Sequence, residues 1–190
     1  GSQGESTAQL LEGAFTALAV ERVLVGIKNA FVECSKAAIE YESAITGVYK
    51  TVNGTETELS AISDDIKQMA LDIPSTTTEI AGVAESAGQL GIGTKYITDF
   101  TEVMINLDET TNMASNEAAS SLAKFSNITK MSETNYENLG STVVALGNNF
   151  ATTEADIVAM ATRMASAGTL AGLTESEILG LSAAVSSVGI

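Results

Sequence analysis

Between residues 10 and 48, apolar side chains recur at alternating spacings of three and four: Leu10, Gly13, Ala17, Val20, Leu24, Ile27, Phe31, Cys34, Ala38, Tyr41, Ile45 and Val48. Only Gly13 departs from the apolar rule. A 3.5-residue repeat keeps one stripe of an α-helix turned toward a partner helix, whereas a half-buried strand needs strict alternation. Unbroken, such a helix runs about 60 Å at roughly 1.5 Å per residue. The stripe has two possible destinations, a second copy of the chain in a coiled coil or the chain's own helices. Leu24, Ile27, Phe31, Cys34, Ala38, Tyr41, Ile45 and Val48 are the residues we assign to self-association, which implies a homo-oligomer. The flanking positions carry no clear charge code for pairing.

After Val52-Asn53-Gly54 the pattern shortens. A capping box, Thr55-x-x-Glu58, opens a helix whose inward residues are Leu59, Ile62, Ile66, Met69 and Ile73, and Pro74 stops it. In such a box the threonine side chain and the glutamate satisfy two amides that have no partner inside the helix. Thr76-x-x-Glu79 opens the next helix, with Ile80, Val83, Ala87 and Leu90 inward, and Gly91-Ile92-Gly93 ends it. Ile97, Phe100, Met104 and Leu107 mark a fourth, and Ala118, Leu122, Phe125 and Ile128 a fifth. A sixth starts at Ser132 with Tyr136, Leu139, Val143 and Leu146; a seventh at Thr153 with Ile157, Met160 and Met164. Thr174-x-x-Glu177 opens an eighth, with Ile178, Leu181, Val185 and Val188 inward. The fold class is therefore all-α: a long N-terminal amphipathic helix over 1–50, then a helical core over 51–190 made of about seven shorter antiparallel helices. Residues 1–6 read as a tag or a disordered lead. Ile190 ends in a helical context without a stop signal, so the core reads as truncated there.

One echo stands out. Glu79-Ile80-Ala81-Gly82-Val83 leads to Leu90-Gly91-Ile92, and Glu177-Ile178-Leu179-Gly180-Leu181 leads to Val188-Gly189-Ile190. A duplicated helical unit explains the match, as does chance similarity between two Ala-rich helices.

Composition narrows function. The chain has 24 carboxylates against 9 bases, no histidine and one cysteine. A net charge of −15 without a basic run opposes direct nucleic-acid binding, which relies on Lys and Arg displacing counterions. A lone Cys34 with no histidine removes Cys/His zinc sites, Ser-His-Asp triads and Cys-His dyads. Glu12, Glu21, Arg22 and Lys28 interrupt the most apolar N-terminal region, so no stable membrane span is expected. Aromatic residues are 5% of the chain and tryptophan is absent, so the core is built from Ala, Leu, Ile, Val and Met.

The remaining chemistry-bearing stretches read as structure. Glu85-Ser86 is superficially similar to the Glu-Ser of lytic transglycosylases, but the further motifs of those enzymes do not follow it, and the chain has no tryptophan for the aromatic-lined sugar cleft that such chemistry needs. Asp64-Asp65 and Asp108-Glu109 lack the alternating oxygen ligands and central glycine of a calcium loop. Gly91-Ile92-Gly93 lacks the preceding strand and third glycine of a dinucleotide fingerprint and reads as a helix C-cap. The methionines Met69, Met104, Met113, Met131, Met160 and Met164 read as core filling. Gly147-Asn148-Asn149-Phe150 with Thr153 is the most polar-looking stretch. It reads as a helix-to-helix corner: Gly147, Asn148 and Asn149 take left-handed turn conformations, Phe150 is a buried plug, and Thr153 caps the next helix with Asp156 in a variant box. No catalytic, cofactor or metal residue is assigned.

Several segments recur together in one known order. They are Tyr41-Glu42-Ser43-Ala44, Val48-Tyr49-Lys50-Thr51-Val52, Ile73-Pro74-Ser75-Thr76-Thr77, Gln89-Leu90-Gly91-Ile92 and Phe125-Ser126-Asn127-Ile128-Thr129. Leu139-Gly140-Ser141-Thr142, Leu146 to Glu154 and Leu181 to Ile190 complete the set. In these the chain resembles the core region of tail tape measure proteins of long-tailed bacteriophages and prophages, firmly over about 39–190. The resemblance implies a structural, non-enzymatic virion component, assembled in the host bacterial cytoplasm, that lies inside the tail tube and sets tail length. It implies the tail tube and tail assembly chaperones as partners and no cofactor. It also implies an acidic tube lumen, which meets like charge in this acidic chain. Either the chain sits where the lumen differs, or its compact form is not the packaged form. Against this stand a self-associating helical adaptor without a phage context and a cell-wall muramidase.

Overall fold

The computed structural model describes residues 20–189. Leu10, Gly13 and Ala17 of the stripe, the lead over 1–6 and the end at Ile190 lie outside the described residues. The chain is all-helical, with α1 (Ser2–Thr51), α2 (Glu56–Asp72), α3 (Thr77–Gln89), α4 (Ile97–Thr110), α5 (Ser115–Thr129), α6 (Tyr136–Asn149), α7 (Glu154–Leu170) and α8 (Glu175–Ser187). Short 3-10 turns, Thr94–Tyr96 and Glu133–Asn135, lead into α4 and α6; the second forms the first turn of the sixth helix expected from Ser132, whose α-helical part begins at Tyr136. Contacts divide the chain into two units, residues 1–42 and 43–190, so the division falls inside α1.

Local chemistry sets the helix ends. Thr55, Thr76 and Thr174 form complete capping boxes with Glu58, Glu79 and Glu177. α2 stops at Ile73, held extended at φ −117° and ψ 142° before Pro74, because the proline ring disfavours helical backbone in the residue ahead of it. Gly91 follows α3 at φ 83°, where a side chain would be strained. α5 ends on Lys130, which takes the left-handed conformation at φ 58° without being glycine; nothing in its side chain foretells this.

In the 43–190 unit α4 is central, packing on α2, α3, α5 and α6, while α7 packs on α5, α6 and α8. Phe100, Met104, Leu122, Phe125, Val143, Ile157 and Ala165 are wholly buried. Phe100 meets Tyr136 edge to face, with ring centroids 4.7 Å apart. Burial pushes the Tyr136 hydroxyl above its usual pKa, and Ser126 shares a 3.3 Å hydrogen bond with it. Several expected inward residues are less enclosed. Leu59, Leu90, Leu146, Val185, Met160 and Met164 are half-buried, and Ile128, Leu181 and Val188 are exposed. These lie at helix ends or on faces that no neighbouring element covers, which periodicity alone does not reveal.

Among the described residues, one buried hydroxyl, Thr101 Oγ1, has no hydrogen-bond partner. Leaving such a group unsatisfied costs about 1–3 kcal/mol, whereas valine has nearly the same shape and no polar atom. Thr101→Val should therefore raise the melting temperature by about 2–4 °C, read by circular dichroism.

The capping boxes also make a pH prediction. The backbone N–H of Thr55, Thr76 and Thr174 donates to Glu58, Glu79 and Glu177 at 2.8 Å in each case. These bonds hold all three carboxyls below their ordinary value of 4.5. A folded pKa below the unfolded one gives stability that is present above 4.5 and lost as pH falls through the folded value. The melting temperature should fall on acidification below that point, and Glu58→Gln/Glu79→Gln/Glu177→Gln should flatten the slope.

Candidate functional site

The stripe along α1 divides. Leu24 is 61% exposed, Ile27 62% and Phe31 74%, and Cys34 and Ala38 are exposed as well. Tyr41 is half-buried, whereas Ile45 and Val48 are buried. The last two lie in the turns of α1 that belong to the 43–190 unit, so they serve that core and present nothing to a second copy. The reason is close packing. Gly47 lies so near the Glu85 carboxylate that a Cβ would collide with it, and a Cβ on Gly88 would lie 2.7 Å from Thr51 Oγ1. Above this point Val20, Val23, Val25, Val32 and Ile39 are also exposed. Together with the stripe they make an exposed apolar surface along the described part of α1 before residue 40.

The corner between α6 and α7 is built differently from expectation. Gly147, Asn148 and Asn149 are the last turn of α6 itself, and none has positive φ. The chain leaves the helix at Phe150, which is extended at φ −116° and 38% exposed, so it is not a buried plug. Gly147 lies against the Glu154 carboxylate, which a Cβ there would displace. Asn149 Nδ2 donates 2.7 Å to the Ala145 carbonyl. Thr153 caps α7, its hydroxyl accepting from the Asp156 amide at 3.2 Å and donating to Asp156 Oδ2 at 2.7 Å. The shorter aspartate binds the threonine hydroxyl where glutamate reaches the backbone amide, so the box is incomplete. These polar groups are engaged with the fold.

The other chemistry-bearing stretches are engaged likewise. Glu85 accepts from Gln89, and Ser86 donates to the Gly82 carbonyl and to Asn116. Asp64 pairs with Lys67, Asp65 accepts from Thr98, and Asp108 accepts from the Ser115 amide. The Gly93 amide, the nearest thing to a phosphate cradle, donates 2.6 Å to Glu133 Oε1, forty residues away in sequence. The protein's own carboxylate therefore occupies the anion position. Met69, Met104, Met113 and Met131 are buried in the core. Among the described residues, no cluster of three or more His, Cys, Asp or Glu could hold a metal ion, and no helix is long and apolar enough to cross a membrane.

A family model described as phage-related minor tail protein matches residues 63–190, which is α2 from Ser63 through α8. No curated protein and no solved structure matches.

Proposed function

This chain belongs to the phage-related minor tail protein family, and from that premise we propose that it is part of a tail tape measure protein, acting in tail assembly and setting tail length. The family match over 63–190 carries the reading. The tape measure role rests in addition on the ordered segments from Tyr41 to Ile190 that resemble that group. Its task is structural, without catalysis. Polar side chains in the candidate sites are spent on helix caps and turns, and the apolar surface lies on a helix, a pattern suited to assembly.

In this reading, Leu24, Ile27, Phe31, Cys34 and Ala38 join copies of the chain, with Tyr41 at the foot of the contact. The tail tube and the tail assembly chaperones are the heterologous partners. A long apolar helix with exposed rows needs such a chaperone until the tube encloses it. The carboxylate-rich surface keeps the chain off the DNA that later passes through the tube.

The reading is tested by removing the gene from its phage and examining particles by electron microscopy. Heads without normal tails, restored by the gene in trans, are the expected result; tails of normal number and length overturn it. Incubating the chain with purified peptidoglycan separates the muramidase alternative, which requires released muropeptides. Absence of tail tube and tail chaperone genes from the same neighbourhood favours the adaptor.

A further inference from the structure

Helix boundaries repeat at a fixed distance. α1 ends at Thr51 and α6 at Asn149; α2 covers Glu56–Asp72 and α7 Glu154–Leu170; α3 covers Thr77–Gln89 and α8 Glu175–Ser187. Every pair is displaced by the 98 residues that separate Thr55 from Thr153 and Thr76 from Thr174, four threonines that all cap helices. Gly91 and Gly189 follow the two shorter helices at φ 83° and 78°. Equivalent core positions match as well, with Ile45 and Val143, Ile80 and Ile178, and Ala81 and Leu179 all buried. The echo in the sequence is thus the last third of a three-helix unit that occurs twice.

The two units differ on one face. Val52 is 6% exposed and Val83 0%, whereas their equivalents Phe150 and Leu181 are 38% and 44% exposed. Leu90 is half-buried, whereas its equivalent Val188 is 73% exposed. In the first unit the segment after α3 comes back to this face. Thr94 Oγ1 donates 2.9 Å to the carbonyl of Asn53, beside Val52, and α4 packs on α3, joined by α5, whose Asn127 donates to the Leu90 carbonyl. A Cβ on Gly54 would lie 2.9 Å from the Thr94 methyl. Among the described residues α8 packs on α6 and α7, without a counterpart of α4.

We infer that Phe150, Leu181, Val185 and Val188 form the seat of an amphipathic helix of α4's chemistry: a 3-10 turn with a threonine at its start, then apolar residues spaced as Ile97, Phe100, Met104 and Leu107. The occupant is read from the first unit, where α4 follows α3 directly, its lead-in threonine bonds beside Val52, and it packs on α3. The inference rests on the duplication and stands apart from the tail assignment.

The test supplies that helix at the equivalent place. Residues 93–110 are appended after Ile190, so that they follow it as Gly93 follows Ile92. Hydrogen exchange of the α8 amides should slow by about tenfold relative to the unextended chain, and Leu181→Asp/Val188→Asp in the extended chain should restore the original rate. Trapping provides a second measurement that needs only transient docking. In a Cys34→Ser background, Thr152→Cys and a cysteine replacing the appended counterpart of Thr94 should form an intramolecular disulfide on mild oxidation, because their equivalents Gly54 and Thr94 are in contact. Unchanged α8 exchange together with no disulfide overturns the inference. So does an unextended chain that is oligomeric and becomes monomeric on Leu181→Asp/Val188→Asp, since the face then joins copies of the chain.

Discussion

Phe100→Ala should lower stability by about 3–5 kcal/mol, a drop in melting temperature on the order of 10 °C. Phe100 is wholly buried on α4, the helix that touches α2, α3, α5 and α6, so few neighbours can move to fill the space. The loss includes the edge-to-face contact with Tyr136 at 4.7 Å, and it loosens the ring that places the Tyr136 hydroxyl against Ser126. Phe100→Leu keeps most of the volume and should cost well under half as much. A thermal or urea melt of both variants checks the prediction; equal stability of the alanine variant and the parent would mean that α4 is not the centre of the core.

Ile27→Glu/Phe31→Glu should convert an oligomer to monomer in sedimentation while leaving the melting of the 43–190 unit unchanged. Both side chains are more than half exposed and are neighbours on the stripe, one helical turn apart. Burying an aliphatic or aromatic side chain contributes about 1.5–3 kcal/mol, so losing two weakens association by roughly 100-fold or more. Glutamate adds repulsion between copies that already carry a net charge of −15. Ile45→Glu/Val48→Glu should behave oppositely and unfold the core, because both residues are buried. A monomeric parent chain, or a double variant of unchanged mass, counts against self-association through α1.

Much of this architecture is legible in the chain because helix starts are local events. Thr55-x-x-Glu58, Thr76-x-x-Glu79 and Thr174-x-x-Glu177 announce the caps found in the structure, and Pro74 and Gly91 announce the stops. Features that depend on distant partners are not legible. A 3.5-residue stripe has the same form whether a second copy or the chain's own helices cover it, so the change from exposed Ala38 to buried Ile45 cannot be read from spacing. Gly147 suggests a left-handed turn, yet it lies in the last turn of α6, against the Glu154 carboxylate. Lys130 takes the left-handed conformation that the sequence assigns to the corner. The bond from Gly93 to Glu133 and the unpartnered Thr101 hydroxyl also arise only once the helices are assembled. The duplication shows in the sequence as one echo, because α1 and α6 share only where they end, and α2 and α7 preserve length and cap more than residues.

That duplication offers a direct measurement of the proposed measuring role. Inserting a further copy of residues 55–152 between Thr152 and Thr153 of the gene keeps every helix in register, since Thr55 and Thr153 are equivalent caps. Tail lengths are then measured by electron microscopy on phage carrying the insertion. If the chain spans the tube as helix, tails lengthen by about 150 Å, at roughly 1.5 Å for each inserted residue. Intact tails of unchanged length would contradict the measuring role.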